Sequence, residues 1–592
     1  MARQNLTKVL ALLLAVVMLI GLTACTKTPA SSTAPTESKS EQTSSAAEEK
    51  LYYNKTGYPI CDTPLKLTAA CPKPDVSSKT YDIGSQATKD NIDQLKTFYD
   101  RLGLDITVDA YLADDWKNQL TMLLTTDALP DMVWNAGLSV AETNKYGAQK
   151  YFADFNQYKD LLPNFEAFCE LHPELKPYCT DANGAMYTVV RLNNKNNIYS
   201  GYRYFLNRSF MENLKAEVPT TLDEFYKLLI RFRDEDANGN GKKDDEIPFQ
   251  YDAFNRSYTD RLLFTTFGVH ASDTTVSLHI GADGKVTLFD DNYKAYLKFL
   301  CQLYDEGLMD KNAFVLSTDE SCAQVINNLV GAYPASAPFV TTGSTIDHDA
   351  EVAMGLVSLA SEYTGNKNQM MLSSPLTGAT KFMIAEKSQY KEACIRLLDY
   401  LATEEGQIGA RYGTVGNQVM AYHDKALDID MIKMDESKVP EGFSSGEEWR
   451  NSKVVLNETL YFTNAAIPNA KYIDQYDQIL NVAKKRANNM DNWKEAQKTF
   501  GWSTLIAENI ADTNAEFVDS YPAMVYPENV VDERTKLMGD LNTTMTDGKS
   551  AVIIGGLSNF DANWDKLVKD MESSGLKDLL KIEQDAYDAM KK

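Results

Sequence analysis

The feature that most restricts this chain is an alternation of two hydrophobic periods. Pro64-Leu65-Lys66-Leu67-Thr68-Ala69-Ala70 reads as a short strand. Asn91 to Leu102 then places Ile92, Leu95, Phe98, Tyr99 and Leu102 on one helical face. Leu104-Asp105-Ile106-Thr107-Val108 alternates as the next strand. Trp116 to Leu124 is again helical, and Leu129-Pro130-Asp131-Met132-Val133-Trp134 enters another strand. Strand, helix, strand, helix in this order predicts an α/β layer around a mainly parallel sheet. Later helices are expected over Thr221–Arg233, Tyr293–Glu306, Lys391–Glu404 and Asn563–Gly575. No repeat of about 20–50 residues runs through the chain, which argues against a solenoid.

A chain of 592 residues has material for several domains' worth of core. Its formal net charge of −24 excludes non-specific nucleic-acid binding, which needs a cationic surface to displace counterions. It equally excludes a polybasic membrane-surface protein. With 32 tyrosines and 23 phenylalanines it is too aromatic for a disordered acidic chain.

The first 24 residues read as a targeting segment. Arg3 and Lys8 are basic, and Val9 to Ile20 is an unbroken apolar run. That run is too short to span a bilayer, which takes about 20 residues, and suits a signal-peptide core. It closes on Leu22-Thr23-Ala24-Cys25, which resembles the bacterial lipobox; the resemblance implies that Cys25 carries lipid and anchors the protein on the extracytoplasmic face of the cell membrane. The other reading is a plain secretory signal with a chance cysteine. Residues 25–55, rich in Ser, Thr, Pro, Ala and Glu, read as a disordered tether. Seven further cysteines remain, and the equal spacings Cys61/Cys71 and Cys169/Cys179 leave disulfides and buried thiols equally open.

Several segments together carry a family resemblance. Leu129-Pro130-Asp131-Met132-Val133, Gly184-Ala185-Met186-Tyr187, Tyr204-Phe205-Leu206-Asn207-Arg208, Val218-Pro219-Thr220-Thr221-Leu222-Asp223-Glu224-Phe225, Leu303-Tyr304-Asp305-Glu306-Gly307-Leu308, Arg396-Leu397-Leu398-Asp399-Tyr400-Leu401 and the tail from Ala551 occur in a fixed order. In that order they resemble the extracellular solute-binding lipoproteins of ABC-type sugar importers, in the branch that includes maltose- and alginate-oligosaccharide-binding proteins. The resemblance implies a two-lobe periplasmic-binding-protein-like α/β fold with an interlobe cleft and several crossover segments. Residues 56–190 and 372–412 would form lobe 1. Residues 191–371 would form lobe 2, with 413–592 as lobe 2 plus a C-terminal helical region. The first crossing is expected near Tyr187–Gly201 and the return near Leu372–Thr380. Implied partners are an oligosaccharide and the permease subunits of an ABC transporter.

Residues 234–248 hold a second motif, DEDANGNGKKDDEIP. Oxygen-bearing side chains recur at Asp236, Asn238 and Asn240, followed by Gly241, Lys242 and Asp244. This is the start of an EF-hand-type calcium loop, with the Lys242 carbonyl at loop position seven and Asp244 at nine. Either Asp245 or Glu246 would supply the closing carboxylate. A solvated acidic turn is the plainer alternative.

Sugar sites pair aromatic faces with polar groups that bond hydroxyls. Near the expected crossings and strand ends stand Trp134, Tyr202, Arg203, Arg411, Tyr412 and Trp502 as substrate-binding candidates. No catalytic residue is assigned, because no H-E-x-x-H zinc motif and no G-x-S-x-G elbow occurs. The resemblance implies a binding protein, and the missing signatures argue against an enzyme. A surface-anchored glycan hydrolase or lyase, and a calcium-stabilised adhesion lipoprotein, are the alternatives.

Overall fold

The computed structural model describes residues 51–592, apart from 74, 77–78, 81–82, 182, 193–202, 252–255, 272, 373–375, 426–427, 457–458, 462–469, 475–492 and 592. The leader, Cys25, most of the tether and Tyr202 therefore lie outside the described residues.

In chain order the first strands are β1 (Leu65–Pro72), β2 (Gln86–Ala87), β3 (Leu104–Tyr111), β4 (Met132–Trp134) and β5 (Val189–Leu192). Then come β6 (Tyr204–Asn207), β7 (Ile247–Phe249), β8 (Val330–Pro334), β9 (Ala353–Gly355), β10 (Gln369–Leu372), β11 (Leu376–Ile384), β12 (Val419–Asp424), β13 (Ile429–Met434) and β14 (Glu516–Asp519). The helices that matter below are α1 (Ala113–Thr125), α2 (Val140–Ala148), α3 (Leu222–Asp234), α4 (Arg256–Thr266), α5 (Asp291–Asp305), α6 (Lys391–Leu401), α7 (Trp502–Thr513), α8 (Glu528–Gly555), α9 (Phe560–Ser573) and α10 (Leu576–Met590).

One sheet has the order β2-β3-β1-β4-β11-β5 and a second the order β9-β6-β8-β7. In the first, β1 runs parallel to β3, from Leu65 opposite Leu104 to Pro72 opposite Tyr111, and parallel to β4. Along β3 the residues Leu104, Ile106, Val108 and Ala110 are buried, as the alternating pattern requires. The sheet departs from parallel at β11, which runs antiparallel to both β4 and β5. In the second sheet β6 is antiparallel to β8 and β9. The chain thus leaves the first sheet after Leu192 and begins the second at Tyr204; it leaves β10, which pairs with β14, at Leu372 and re-enters the first sheet at Leu376.

Each sheet has its own core. Leu95, Phe98, Ile106, Phe165, Phe382 and Leu397 belong to the first. Tyr204, Phe225, Phe249, Tyr296, Leu541 and Leu567 belong to the second, which the C-terminal helices α8, α9 and α10 complete. Within 413–592, expected as lobe 2 plus a C-terminal helical region, the first part makes contacts with the first core. Leu456, Leu460 and Tyr461 pack into the first core, and Gln418 and the Leu456 amide bond Asp93 and Gln94 of that same body. Burying those three side chains explains why this stretch stays with the first sheet.

The motif residues hold this frame. The Asp131 carboxylate accepts the Thr68 amide (2.8 Å), the Thr68 hydroxyl (2.9 Å) and the Ser388 hydroxyl (2.7 Å), tying β4 to β1 and to the turn before α6. Thr221 caps α3 in a reciprocal box with Glu224. Backbone donation from Thr220, with its hydroxyl and Thr221, holds the Glu224 carboxyl below its usual range. Gly307 follows α5 with φ 67°, a left-handed stop. Gly556 has φ 71°, and a Cβ there would stand 2.2 Å from Asp305 Oδ1. Trp564 packs against Phe289 in the second core. The helix read through to Glu404 ends at Leu401, and Thr403 caps a new one over Glu404–Arg411. The seven cysteines are thiols, buried except for Cys322; burial pushes Cys71 up to about 12 and Cys61 up to about 11.

Asp399 is fully buried on α6. It accepts the amides of Asn164 (2.7 Å) and Phe165 (3.1 Å) at the start of the helix Pro163–Leu171, and pairs with Arg396 at 3.0 Å. Arg396 in turn donates to the Gly57 carbonyl at 2.8 Å. Asp399→Ala leaves the buried guanidinium uncompensated and is expected to cost about 3–5 kcal/mol in urea unfolding. Glu405→Ala, which removes the exposed Arg101 pair, is expected to cost no more than about 1 kcal/mol in the same assay.

Candidate functional site

Several pieces of chain meet between the two cores. From the first body comes α2, whose N-cap Ser139 accepts the Glu142 amide while the Glu142 carboxylate accepts the Ser139 amide and hydroxyl, both at 2.8 Å. Tyr178 and Leu376, the first residue of β11, stand on the same side. From the second body come α4 and the stretch through Leu278. The segment Ser520–Pro527 runs between β14 and α8, with Ala523 packed on the first core and Tyr521 and Met524 in the second.

Together they enclose a cavity of about 960 Å³. That is at the upper end of ordinary small-molecule sites, about 300–1,000 Å³. Its wall alternates apolar faces (Val276, Leu278, Met524, Val525) with four tyrosines, 178, 258, 521 and 526. Charged groups on the wall, among the described residues, are Glu142, Arg261, Asp273 and Arg534. The side-chain oxygens of Asn144 on α2 and Asn542 on α8 are buried without a hydrogen-bond partner, one on each body. Both residues line the cavity, although the two oxygens themselves are covered; a buried carbonyl left unpaired in this way costs about 1–3 kcal/mol. Behind the wall, fully buried Glu583 of α10 accepts the hydroxyls of Tyr521 (2.7 Å) and Tyr526 (2.8 Å) and Nε of Arg534 (2.7 Å). Burial first, then the Glu583 charge, raises both tyrosine hydroxyls well above their ordinary range, so they act as donors.

The sequence candidates fall elsewhere. Trp134 is fully buried in β4, opposite Phe382 of β11, with the rings 6.4 Å apart and near parallel; it offers no face to a ligand because its side chain packs into the first core. Trp502 is 4% exposed at the start of α7, with its amide on Asp349 at 2.9 Å and the Arg203 guanidinium 4.5 Å above its ring. Arg203 also donates to the Ser336 carbonyl at 2.8 Å. Arg411 lies 4.7 Å from the Tyr461 ring, donates to its hydroxyl at 2.8 Å, and sits 5.4 Å from the ring of buried Tyr412. These five side chains pack the lobes and none lines the cavity. What sequence reasoning missed carries a signal of its own: Ser520-Tyr521-Pro522-Ala523-Met524-Val525-Tyr526-Pro527 is aromatic and proline-punctuated, without helical or strand period.

The acidic loop folds on itself. The Asp245 carboxylate accepts the side-chain amides of Asn238 (3.3 Å) and Asn240 (2.9 Å), the latter bond being the main cause that lowers its pKa. Asp236 accepts the Gly241 amide at 2.9 Å, and Glu246 accepts the Ala237 amide at 3.0 Å. The second oxygens of Asp236 and Glu246, Oδ1 and Oε2, are buried without a partner. Asp244, expected at loop position nine, is exposed at the surface, while Asp245 and Glu246 are half-buried. No group of three or more His, Cys, Asp or Glu side chains meets at one point among the described residues. The orphaned oxygens nevertheless suit a hard cation.

No protein-family model matches the sequence. The chain is 24% identical over 482 residues, 80% of its length and 82% of the relative's, to the fructooligosaccharide ABC transporter substrate-binding protein FusA of Streptococcus pneumoniae. Its structure superposes on that of FusA in complex with kestose with a TM-score of 0.66 at 22% identity, covering 89% of this chain and 99% of the other. The fold is that of the two-lobe ABC-transporter solute-binding proteins. An EF-hand mutant of FusA in complex with fructo-nystose matches this solute-binding fold equally well, at a TM-score of 0.66 and 22% identity over the same shares of each chain. So does an HMO-binding, ABC-transporter-associated solute-binding protein from Bifidobacterium longum infantis, with TM-score 0.66, 20% identity, and 89% and 99% coverage. Lipoprotein LipO of Bacillus subtilis is 24% identical over 276 residues, 42% of this chain and 52% of that protein. The proteins matched are binding proteins and not enzymes.

Because Trp134 is core, Trp134→Ala is expected to lower stability by about 3–5 kcal/mol in urea or thermal unfolding, with the cavity-lining side chains unaltered.

Proposed function

We propose that this protein captures an oligosaccharide between its two lobes and delivers it, chemically unchanged, to the permease of an ABC transporter. The observation that carries the reading is the cavity walled by both cores, with one unpartnered asparagine oxygen from each. Tyrosine faces suit the C–H side of sugar rings, and the asparagine oxygens suit hydroxyl donors. A ligand that bonds Asn144 and Asn542 together touches both lobes only when they are near, so its affinity for the closed form drives closure. The end-to-end match to substrate-binding proteins supports the same reading. A hydrolase reading gains nothing here, since the Glu142 carboxylate is spent on capping Ser139.

Three further parts belong to this proposal. Residues 56–192 and 376–461 form the first lobe, and most of the remainder forms the second. Cys25 carries the lipid anchor, and LipO supports that reading. The loop from Asp236 to Glu246 holds a structural calcium through Asp236, Asn238, Asn240, the Lys242 carbonyl, Asp245 and Glu246. The buried unpartnered oxygens and the FusA EF-hand mutant support it.

Calorimetry against a panel of oligosaccharides is expected to show saturable binding, with intact sugar recovered afterwards. Asn144→Ala and Asn542→Ala are each expected to weaken binding about tenfold, with unfolding midpoints little changed, because each removes a bond worth about 1–1.5 kcal/mol. Cleaved sugar, or no binder and no closure in small-angle scattering, would reject the reading.

Calcium at a hundredfold excess over Kd is expected to stabilise the protein by about 2.7 kcal/mol. EDTA should reverse that gain, and Asp236→Ala should abolish it. A calcium-independent melting temperature would reject the metal site.

A further inference from the structure

The charge on the cavity wall is set from behind it. Of the two arginines that line the cavity, Arg534 stacks on the Tyr526 ring at 4.1 Å and gives its Nε to Glu583 at 2.7 Å. Glu583 is fully buried on α10, while Arg534 remains 27% exposed. Arg261 shares the wall with two acids, Glu142 and Asp273. Counting Glu583, three carboxylates therefore stand against two guanidiniums. An anionic sugar entering here would meet no net positive field, and would lose hydration without a counter-charge.

We propose that Glu583 is the specificity-determining residue of this cavity. By holding Tyr521, Tyr526 and Arg534 on one buried carboxylate it cancels the guanidinium charge and fixes the aromatic wall, so that the cavity takes uncharged oligosaccharides and rejects uronate oligosaccharides. The inference rests on the sugar-capture reading and names the substrate class for it. Glu583 makes no contact with the ligand; it acts through the three side chains that do, as a positioning residue. Nothing in its local sequence marks it: Lys581-Ile582-Glu583-Gln584 reads as an ordinary helical turn, and only the packing of α10 against Ser520–Pro527 and α8 brings the three donors to it.

The test is calorimetry on the mature chain, with neutral gluco-, fructo-, xylo- and manno-trisaccharides as one set and hexuronate trisaccharides as the other. The wild type is expected to bind at least one neutral sugar and to bind uronates at least a hundredfold more weakly. Glu583→Gln is expected to weaken neutral binding at least tenfold and to gain uronate binding that falls with added salt, because Arg534 then stands uncompensated. The double variant Arg534→Gln with Glu583→Gln is expected to lose the uronate binding again. It carries the test if the single variant fails to fold by circular dichroism: it must reject uronates and bind neutral sugar at least tenfold more weakly than wild type. Uronate binding by the wild type overturns the charge inference and leaves sugar capture standing. An unchanged ratio of neutral to uronate affinity in Glu583→Gln, or full neutral affinity in the double variant, overturns the positioning role. Failure of every sugar to bind overturns both readings together.

Discussion

The first sheet is completed by a strand that follows the whole second sheet in the chain. Its strand β11 lies between β4 and β5, and Phe382 stands opposite both Trp134 and Val189. The chain reaches β11 only after passing through β6 to β10. Folding the first lobe therefore closes a loop that contains most of the second, and such long closures cost little more than short ones per added residue. The consequence is geometric. Chain passes between the cores after Leu192, before Leu376 and between Tyr461 and Trp493, and Ser520–Pro527 packs on both, so the lobes cannot separate as independent domains. Leu376, where β11 begins, is itself part of the cavity wall.

The seam is one place where buried polar groups are left unpaired. Within each core the buried carboxylates are saturated: Asp399 by Asn164, Phe165 and Arg396, and Asp260 by Tyr251, Tyr296 and Lys549. At the seam, Asn144 and Asn542 keep oxygens without partners. Asp236 and Glu246 keep such oxygens too, in the acidic loop, so the seam is one of several places where folding leaves an acceptor for an outside partner.

The frame was legible from sequence because its determinants are local. Thr221 and Glu224 announce a capping box by spacing alone, Gly307 announces a helix stop, and Leu104 to Val108 announces a strand by alternation. The ordered motifs around Asp131, Asp399 and Gly556 proved to be joints of that frame. The cavity was not legible, because its wall is assembled from residues about 137–144, 257–278 and 520–542, and none of these stretches carries a periodic signal that names its partners. Trp134 shows the limit most clearly. A tryptophan at a strand end reads as a cleft residue until a strand some 250 positions later in the chain pairs beside it and the core closes on its ring. The acidic loop is intermediate: its alternating oxygens were legible, but that Asp244 faces outward and Asp245 inward depends on how the loop turns.

The central claim is the location of the captured sugar. A crystal structure of the mature chain with a bound oligosaccharide tests it most directly. The account predicts sugar density in the cavity, with hydroxyls within hydrogen-bond distance of Asn144 and Asn542 and a ring against Tyr258 or Tyr526. Sugar bound instead along Arg203 and Trp502, or along Arg411 and Tyr412, with the cavity holding only solvent, would contradict it.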